Sequence, residues 1–462
     1  MLFRSANVRQ PLIHTLNLAH IMPVSAVWAG PTHNEHLGQP ALLQAATRGS
    51  TPFRLNLHIG DVGHTLIVGP TGAGKSVLLA LMALQFRRYT DSQVVIFDKG
   101  RSARAACLAM GGVALDLGLN AGLAFQPLRD IDDATARAFA RDWLLGLLTN
   151  ENVTIGPVVK DQIWTALNSL SSAPSEERTL TGLSLLLQSN QLRQALQPFT
   201  LEGPWGQLLD GKDDQLAFAD VMHFELEGLM ETKGLVLPVL TYLFHRLEAR
   251  FDGRPTLLVL DEAWLFLDHP LFAARIRDWL KTLRKKNVAV VFATQSLADI
   301  AASSIAPSII ESCPTRIFLP NDRAIEPQTS DIYQRFGLNP RQIELIAGAT
   351  PKRDYYAQTA RGNRLFELNL GPLALALCSA SRPADHKLID ELLKREGPEY
   401  FPPAFLAVLG FAEEAGLINA AWAPRVGVEP ITEVVLAKGE VTTVASDNEE
   451  LFEPRQTQET ES

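Results

Sequence analysis

The stretch Thr65-Leu-Ile-Val-Gly-Pro-Thr-Gly-Ala-Gly-Lys-Ser76 runs directly into Val77-Leu-Leu-Ala-Leu-Met-Ala-Leu84. A short apolar strand, a glycine-rich turn of the form G-x-x-x-x-G-K-[ST] and an apolar helix therefore follow one another. Glycines let the backbone close around an anion with no Cβ in the way. The N–H groups at the helix start lack intrahelical partners, and the helix dipole adds to their pull on negative charge. The turn is predicted to cradle nucleotide phosphates with Gly69, Pro70, Thr71, Gly72, Ala73, Gly74, Lys75, Ser76 and Val77. Lys75 is expected to neutralise the β- and γ-phosphates of ATP, and the Ser76 hydroxyl to ligate Mg²⁺. A chance glycine turn that binds nothing would not bring the strand before it and the helix after it.

Working outward, Pro52-Phe-Arg-Leu-Asn-Leu-His-Ile59 alternates apolar and polar residues, and Gly60-Asp61 with Gly63 turns the chain. A hairpin leading into the phosphate turn is expected there. Downstream, Gln93-Val-Val-Ile-Phe-Asp98 reads as a buried strand, with a helix over Ala103–Met110. Strand, helix, strand, helix is the pattern of an α/β parallel sheet covered on both faces. Asp98 either points into the crevice where such sheets hold ligands or caps the following turn. From about Asp130 to Asp210 helical periods take over, at Asp133–Leu148, Val158–Leu170 and Leu183–Leu196, with Asp132 or Asp133 as N-cap. This predicts an all-helical insertion, because the α/β pattern resumes with a strand at Val221–Leu226 and a helix over Leu235–Arg250.

Pro255-Thr-Leu-Leu-Val-Leu-Asp-Glu-Ala-Trp264 supplies the second half of a phosphoryl-transfer site. Its strand ends in two carboxylates that period-two geometry sends to opposite sides, which implies different tasks. Asp261 is expected to hold Mg²⁺ and Glu262 to orient and polarise the attacking water. A helix follows, with Phe272, Ile276, Trp279, Leu280 and Leu283 on one stripe, ending in Arg284-Lys-Lys-Asn287. Those cations either answer the helix dipole, or Arg284 reaches a phosphate in a neighbouring subunit as an arginine finger. The strand Val288-Ala-Val-Val-Phe-Ala-Thr-Gln295 places an amide where it reads a γ-phosphate or simply caps the strand. Thr315–Asn321 reads as a further strand and Gln358–Leu370 as a late hairpin, with Arg361 and Arg364 near its turn either contacting nucleotide across an interface or solvated. Asp385–Arg395 reads as a short helix and Gly410–Gly416 as a further fragment.

The chain of 462 residues is long enough for two or three units, and its 46% hydrophobic and 20% charged content is that of a globular protein. Of the net charge of −9, the segment from Glu429 onward supplies −7, so overall acidity says little against nucleic acid. Cys107, Cys313 and Cys378 lie far apart with no C-x-x-C pair, which argues against a disulfide framework or a zinc site and for a reducing compartment. No apolar run has the length of a membrane span, and the N-terminus does not have the order of a secretory leader. Membrane association is expected to be peripheral, through partners.

Gly69–Ser76, Phe97-Asp-Lys-Gly-Arg101, Leu260-Asp-Glu-Ala-Trp264, Leu283-Arg-Lys-Lys-Asn287 and Ala293-Thr-Gln-Ser296 occur in the order found in the TrbE/CagE class of type IV secretion ATPases, which this sequence resembles. Asn56–His64 and Pro351-Lys-Arg-Asp-Tyr-Tyr356 are similar to its conjugal-transfer branch in particular. The resemblance covers residues 10 to 395. It implies a RecA-like P-loop NTPase core with a helical insertion, hexamers with nucleotide between subunits, and other type IV secretion subunits as partners. It also implies a cytoplasmic site of action, peripheral at the bacterial inner membrane. Family members carry a substantial domain ahead of the motor, where this chain has about fifty residues. On this view 1–50 is a remnant of an upstream region, 51–129 and 211–395 form the ATPase core, and 130–210 is the insertion. Residues 396–444 are a C-terminal extension, and 445–462 an acidic disordered tail. Two other functions compete. One is a DNA translocase or coupling-type motor of the HerA–FtsK class; the other is a subunit that binds nucleotide without turnover. Lys75, Ser76, Asp261, Glu262 and Gln295 together weigh against the second. Basic residues from Arg275 to Lys286 either face a pore that holds DNA or form a solvated helix face.

Overall fold

The runs Leu66–Val68, Val94–Phe97, Leu257–Leu260 and Val288–Ala293 are apolar at consecutive positions, as strands buried on both faces must be. In the computed structural model, which describes residues 14–21, 27–49, 51–119, 122–262 and 270–426, they lie in one nine-stranded sheet. In chain order the strands are β1 (His33–Asn34), β2 (Gln39–Pro40), β3 (Leu43–Ala45), β4 (Phe53–Leu55), β5 (Thr65–Val68), β6 (Gln93–Asp98) and β7 (Val113–Asp116). They continue with β8 (Val221–Glu225), β9 (Thr256–Leu260), β10 (Val288–Thr294), β11 (Thr315–Phe318), β12 (Asp354–Thr359) and β13 (Gly362–Glu367). The large sheet has the order β13-β12-β11-β5-β10-β9-β6-β8-β7. It is parallel from β7 through β11 and antiparallel across the β12–β13 edge.

The two-residue side-chain period sorts the core into two layers. Leu66, Val68, Val95, Phe97, Leu258, Leu260, Val290 and Phe292 face one side, with Phe244 and Trp279. Ile67, Val94, Ile96, Leu257, Val259, Val291 and Ala293 face the other, with the helix Lys75–Phe86. Each Val, Leu, Ile or Phe side chain among them contributes about 1.5–3 kcal/mol by leaving water. A one-residue slip of any central strand would exchange the two sets, so the register is fixed by packing. The helix Lys75–Phe86 is apolar on most of its surface because helix Pro372–Cys378 covers it from outside.

Between β7 and β8 the chain forms helices Ala134–Asn150, Pro157–Leu170, Leu180–Leu186, Asn190–Leu196 and Gly206–Leu209. Asp133 caps the first, accepting from the N–H groups of Thr135 (2.8 Å) and Ala136 (2.9 Å). The single helix expected over Leu183–Leu196 is two, because Leu187 is extended and the Ser189 hydroxyl caps a new start, accepting from the Leu192 N–H. The Trp143 indole donates to the Pro238 carbonyl at 2.9 Å, fastening the first of these helices to Lys233–Glu248. Asp214, on the way back to the sheet, accepts from the Tyr242 hydroxyl at 2.6 Å and from Arg246 on that same helix.

One expectation is corrected. Residues 52–59 do not form a hairpin with the strand that feeds the phosphate turn. β4 pairs antiparallel with β3, while β5 is flanked on both sides by parallel strands, β10 and β11. Both hydrogen-bonding edges of β5 are thereby occupied, and β4 has to find its partner upstream. The arm that includes β3 and β4 lies against the sheet edge through a bridge of Ala46 with Glu367, and Trp28 sits against Phe53 and Gly362.

His64, entirely buried, joins the start of β5 to its neighbours. Its Nε2–H donates to the Leu280 carbonyl, and its Nδ1 accepts from the Val290 N–H, both at 3.2 Å. Burial pushes this imidazole down to about 4 and that of nearby His58 to about 3, so both rings are neutral near pH 7. At the far end, Ile389, Leu392, Phe401 and Phe405, from helices Pro383–Glu396 and Phe401–Val408, pack on Ala105 and Leu108. The expected acidic tail lies outside the described residues. Among those described, no helix is long and apolar enough to cross a membrane.

Candidate active site

β5, β10 and β9 are adjacent, so the turns at their C-terminal ends meet at one edge of the sheet. The turn after β5 is fixed at its base by the Gly69 N–H, which donates to the Thr294 carbonyl at 3.1 Å. Gly69 itself has no room for a side chain, since a Cβ there would lie 2.4 Å from the Cβ of Leu319. Lys75 opens the helix and is only 7% exposed. Its ammonium donates to Asp261 Oδ1 at 2.6 Å and to Glu262 Oε1 at 3.2 Å. Gln295, just past β10, donates its amide to the same Glu262 oxygen at 2.7 Å and accepts from the Thr71 hydroxyl at 2.6 Å. Thr71, Lys75, Asp261, Glu262 and Gln295, residues up to 224 positions apart, thus form one contact network. Ser76 lies on the same first helical turn.

The expected division of the two carboxylates to opposite sides is not what the structure has. Both reach Lys75, because the chain leaves the extended conformation at Glu262, whose φ is +55°. Period-two alternation no longer applies there, and the side chain swings back over the turn.

Electrostatics matches this geometry. Burial alone would lower the Lys75 ammonium, but the Asp261 and Glu262 carboxylates outweigh it and raise it, so it stays charged. Burial pushes Asp261 up to about 6; Lys75 opposes the shift, and the charges of Asp98 and Glu262 add to it. At neutral pH the pair is ionic and crowded with negative charge, an arrangement that favours a further cation.

Asp98 caps its turn. It accepts from the Ser102 hydroxyl at 3.0 Å, the Ala103 N–H at 2.9 Å and His223 Nε2 at 3.1 Å. Glu225, on the neighbouring strand, accepts from the N–H groups of Gly100 (3.0 Å), Arg101 and Glu227 (2.8 Å). Asp98, His223 and Glu225 approach one another as metal ligands would, but their carboxylate oxygens are engaged by donors that hold the turn.

Arg284 is not brought to this group. It sits in the turn Leu283–Lys286 before β10, 3.8 Å from the Asp61 carboxylate. The length of β10 separates it from Gln295, about 20 Å of strand. Arg361 pairs with Glu35 at 2.8 Å and Arg364 donates to the Thr47 hydroxyl at 3.2 Å, both on the N-terminal arm. Two contacts on the phosphate turn escaped the sequence reading: Lys352 N–H to the Ala73 carbonyl at 2.9 Å, and the Tyr355 hydroxyl to the Gly74 carbonyl at 3.2 Å. Only the likeness of Pro351–Tyr356 to one branch of a family drew attention to that segment.

A parallel sheet with this turn, this lysine and these strand-end carboxylates defines a P-loop nucleoside triphosphatase. The fold agrees with VirB4 of Thermoanaerobacter pseudethanolicus, at a TM-score of 0.59 and 18% identity over 72% of this chain and 98% of that one. Residues 186–359, which include Asp261, Glu262 and Gln295, match the TraG P-loop domain. Sequence then narrows the likeness, over about nine tenths of this chain, to conjugal transfer proteins named TrbE. The chain is 46% identical over 423 residues to a probable conjugal transfer protein TrbE of Sinorhizobium fredii, covering 89% of this chain and 63% of that one. It is likewise 46% identical over 427 residues to the conjugal transfer protein TrbE of Rhizobium radiobacter, covering 90% and 52%. The chain therefore spans between half and two thirds of the length of these relatives.

Proposed function

We propose that the chain is the ATP-hydrolysing motor of a type IV secretion or conjugation system, energising pilus assembly and substrate transfer. The observation that carries this reading is the Lys75 ammonium, held 2.6 Å from Asp261 and 3.2 Å from Glu262 at the mouth of the phosphate turn. A buried ammonium needs an anionic partner, and phosphate oxygens are what Lys75 would exchange its carboxylates for. Oxygen donors suit a hard cation, so Ser76 and Asp261 would hold Mg²⁺. When bound, Mg²⁺ neutralises charge on the phosphate oxygens. Glu262, released from Lys75, accepts a proton from the attacking water. Gln295, steadied by Thr71, orients that water and contacts the γ-phosphate.

Arg284 lies too far along β10 to serve its own site, so its finger role belongs to an adjacent copy in a hexamer. The core comprises 51–129 and 211–395, with 130–210 inserted and 396–444 appended. The names of the relatives support a place among conjugation subunits, and a position peripheral to the inner membrane is part of the same proposal. The test is ATPase rate against protein concentration for wild type, Glu262→Gln and Arg284→Ala. Undiminished turnover by Glu262→Gln would sink the mechanism. Full activity of assembled Arg284→Ala would remove that residue from it, and DNA-stimulated hydrolysis with steep salt dependence would favour a translocase instead.

A further inference from the structure

The phosphate turn is gripped from outside by a segment far along the chain. Lys352 N–H donates to the Ala73 carbonyl at 2.9 Å and the Tyr355 hydroxyl to the Gly74 carbonyl at 3.2 Å. A trans peptide is planar, with C=O and N–H on opposite sides. Holding the Ala73 carbonyl outward therefore turns the Gly74 N–H inward, and holding the Gly74 carbonyl does the same for the Lys75 N–H. Donors aimed in advance bind an anion without the cost of reorienting. The grip is close: Gly74 stands at φ +102°, and a Cβ there would lie 2.6 Å from the Tyr355 hydroxyl and 3.1 Å from the Lys352 Cα.

The gripping segment is itself held. Lys352 adopts φ +63°, a conformation that side-chain-bearing residues seldom take. Asp354, fully buried, closes the turn by accepting from the Thr350 N–H at 2.8 Å and from the Arg48 guanidinium at 2.6 Å. Arg48 belongs to the β3–β4 arm, where Ala46 and Glu367 exchange backbone hydrogen bonds at 3.2 and 2.8 Å. The Tyr355 ring stacks on Phe366 with centroids 5.6 Å apart, which fixes the direction of its hydroxyl. Burial pushes that hydroxyl up to about 12, so it remains a donor across the physiological range.

We propose that Tyr355 and Asp354 are positioning residues for the phosphate turn, with Arg48 on the upstream arm as their outer anchor. The proposal rests on the reading that this turn binds ATP. It makes nucleotide affinity depend on a stretch of chain 281 positions beyond the phosphate turn.

The test is titration of the full chain with a fluorescent ATP analogue in Mg²⁺, together with steady-state hydrolysis. Tyr355→Phe keeps the ring packing and removes only the hydroxyl. It should weaken binding about three- to tenfold and raise KM by the same factor, with kcat within about twofold of wild type. Arg48→Gln and Asp354→Asn should each weaken binding about two- to threefold, and the double variant no more than the worse single one. Tyr355→Phe and Arg48→Gln that bind as wild type does, while Lys75→Ala does not bind, would overturn the proposal and leave the ATP reading intact. A wild-type chain that does not bind the analogue would defeat both.

Discussion

The turn after β5 and the turn after β6 leave the same edge of one sheet, and each passes through glycine into a helix. In the turn after β6 the protein supplies its own anion. Glu225 accepts from the N–H groups of Gly100, Arg101 and Glu227, and Asp98 accepts from Ala103. In the turn after β5, the hydrogen bonds from Lys352 and Tyr355 go to the carbonyls of Ala73 and Gly74. A carboxylate from the next strand is thus enough to make an anion-binding turn into a structural joint. Pulling on the opposite face of the backbone leaves the other turn in need of an anion from outside.

The sharpest way to separate the turns is to remove chemistry from one of them. Glu262→Gln should lower kcat by about 10²- to 10⁴-fold with nucleotide still bound, measured in single-turnover assays. Glu225→Ala should instead cost about 2–4 kcal/mol of stability in urea unfolding, since three N–H groups lose their acceptor, and should barely move ATP affinity. An unchanged midpoint in that variant would erase the distinction. ATP with Mg²⁺ at one hundred times its Kd should stabilise the wild type by about 2.7 kcal/mol, read as a rise in Tm that Lys75→Ala lacks. The smallest effect comes from the opposite end of β5. His64 is held neutral down to about pH 4 in the folded chain, whereas the unfolded chain takes up a proton near its ordinary value of 6.5. Stability should therefore fall as pH drops from about 6.5 toward 4, losing about 1 kcal/mol by pH 5.5, and the slope should shrink in His64→Gln.

Much of this was legible from residue order. The phosphate turn shows itself through glycines and a lysine at fixed spacing, and β9 and β10 through unbroken apolar runs that end in Asp261 and Gln295. For Asp98 a cap was one of two readings, and for the first inserted helix Asp133 was one of two candidates; the structure chooses the cap in the first case and Asp133 in the second. What stayed hidden depends on which strands become neighbours. β4 turns upstream to β3 only because β10 and β11 already occupy β5, and nothing in Pro52–Ile59 says so. The return of Glu262 toward Lys75 depends on a single backbone angle past the end of a strand. The bond between Arg48 and Asp354 joins residues 306 positions apart, and only the closed sheet edge brings them together.

β10 has a mechanical consequence. All seven of its residues are buried, clamped between β5 and β9. Its lower end is pinned by the His64 ring and by the Asn287 amide, which donates to the Gly253 carbonyl at 3.2 Å. An extended strand of fixed covalent length has no slack, so it acts as a spacer. It holds Gln295 and the basic turn Leu283–Lys286 at opposite ends of the sheet at a set separation.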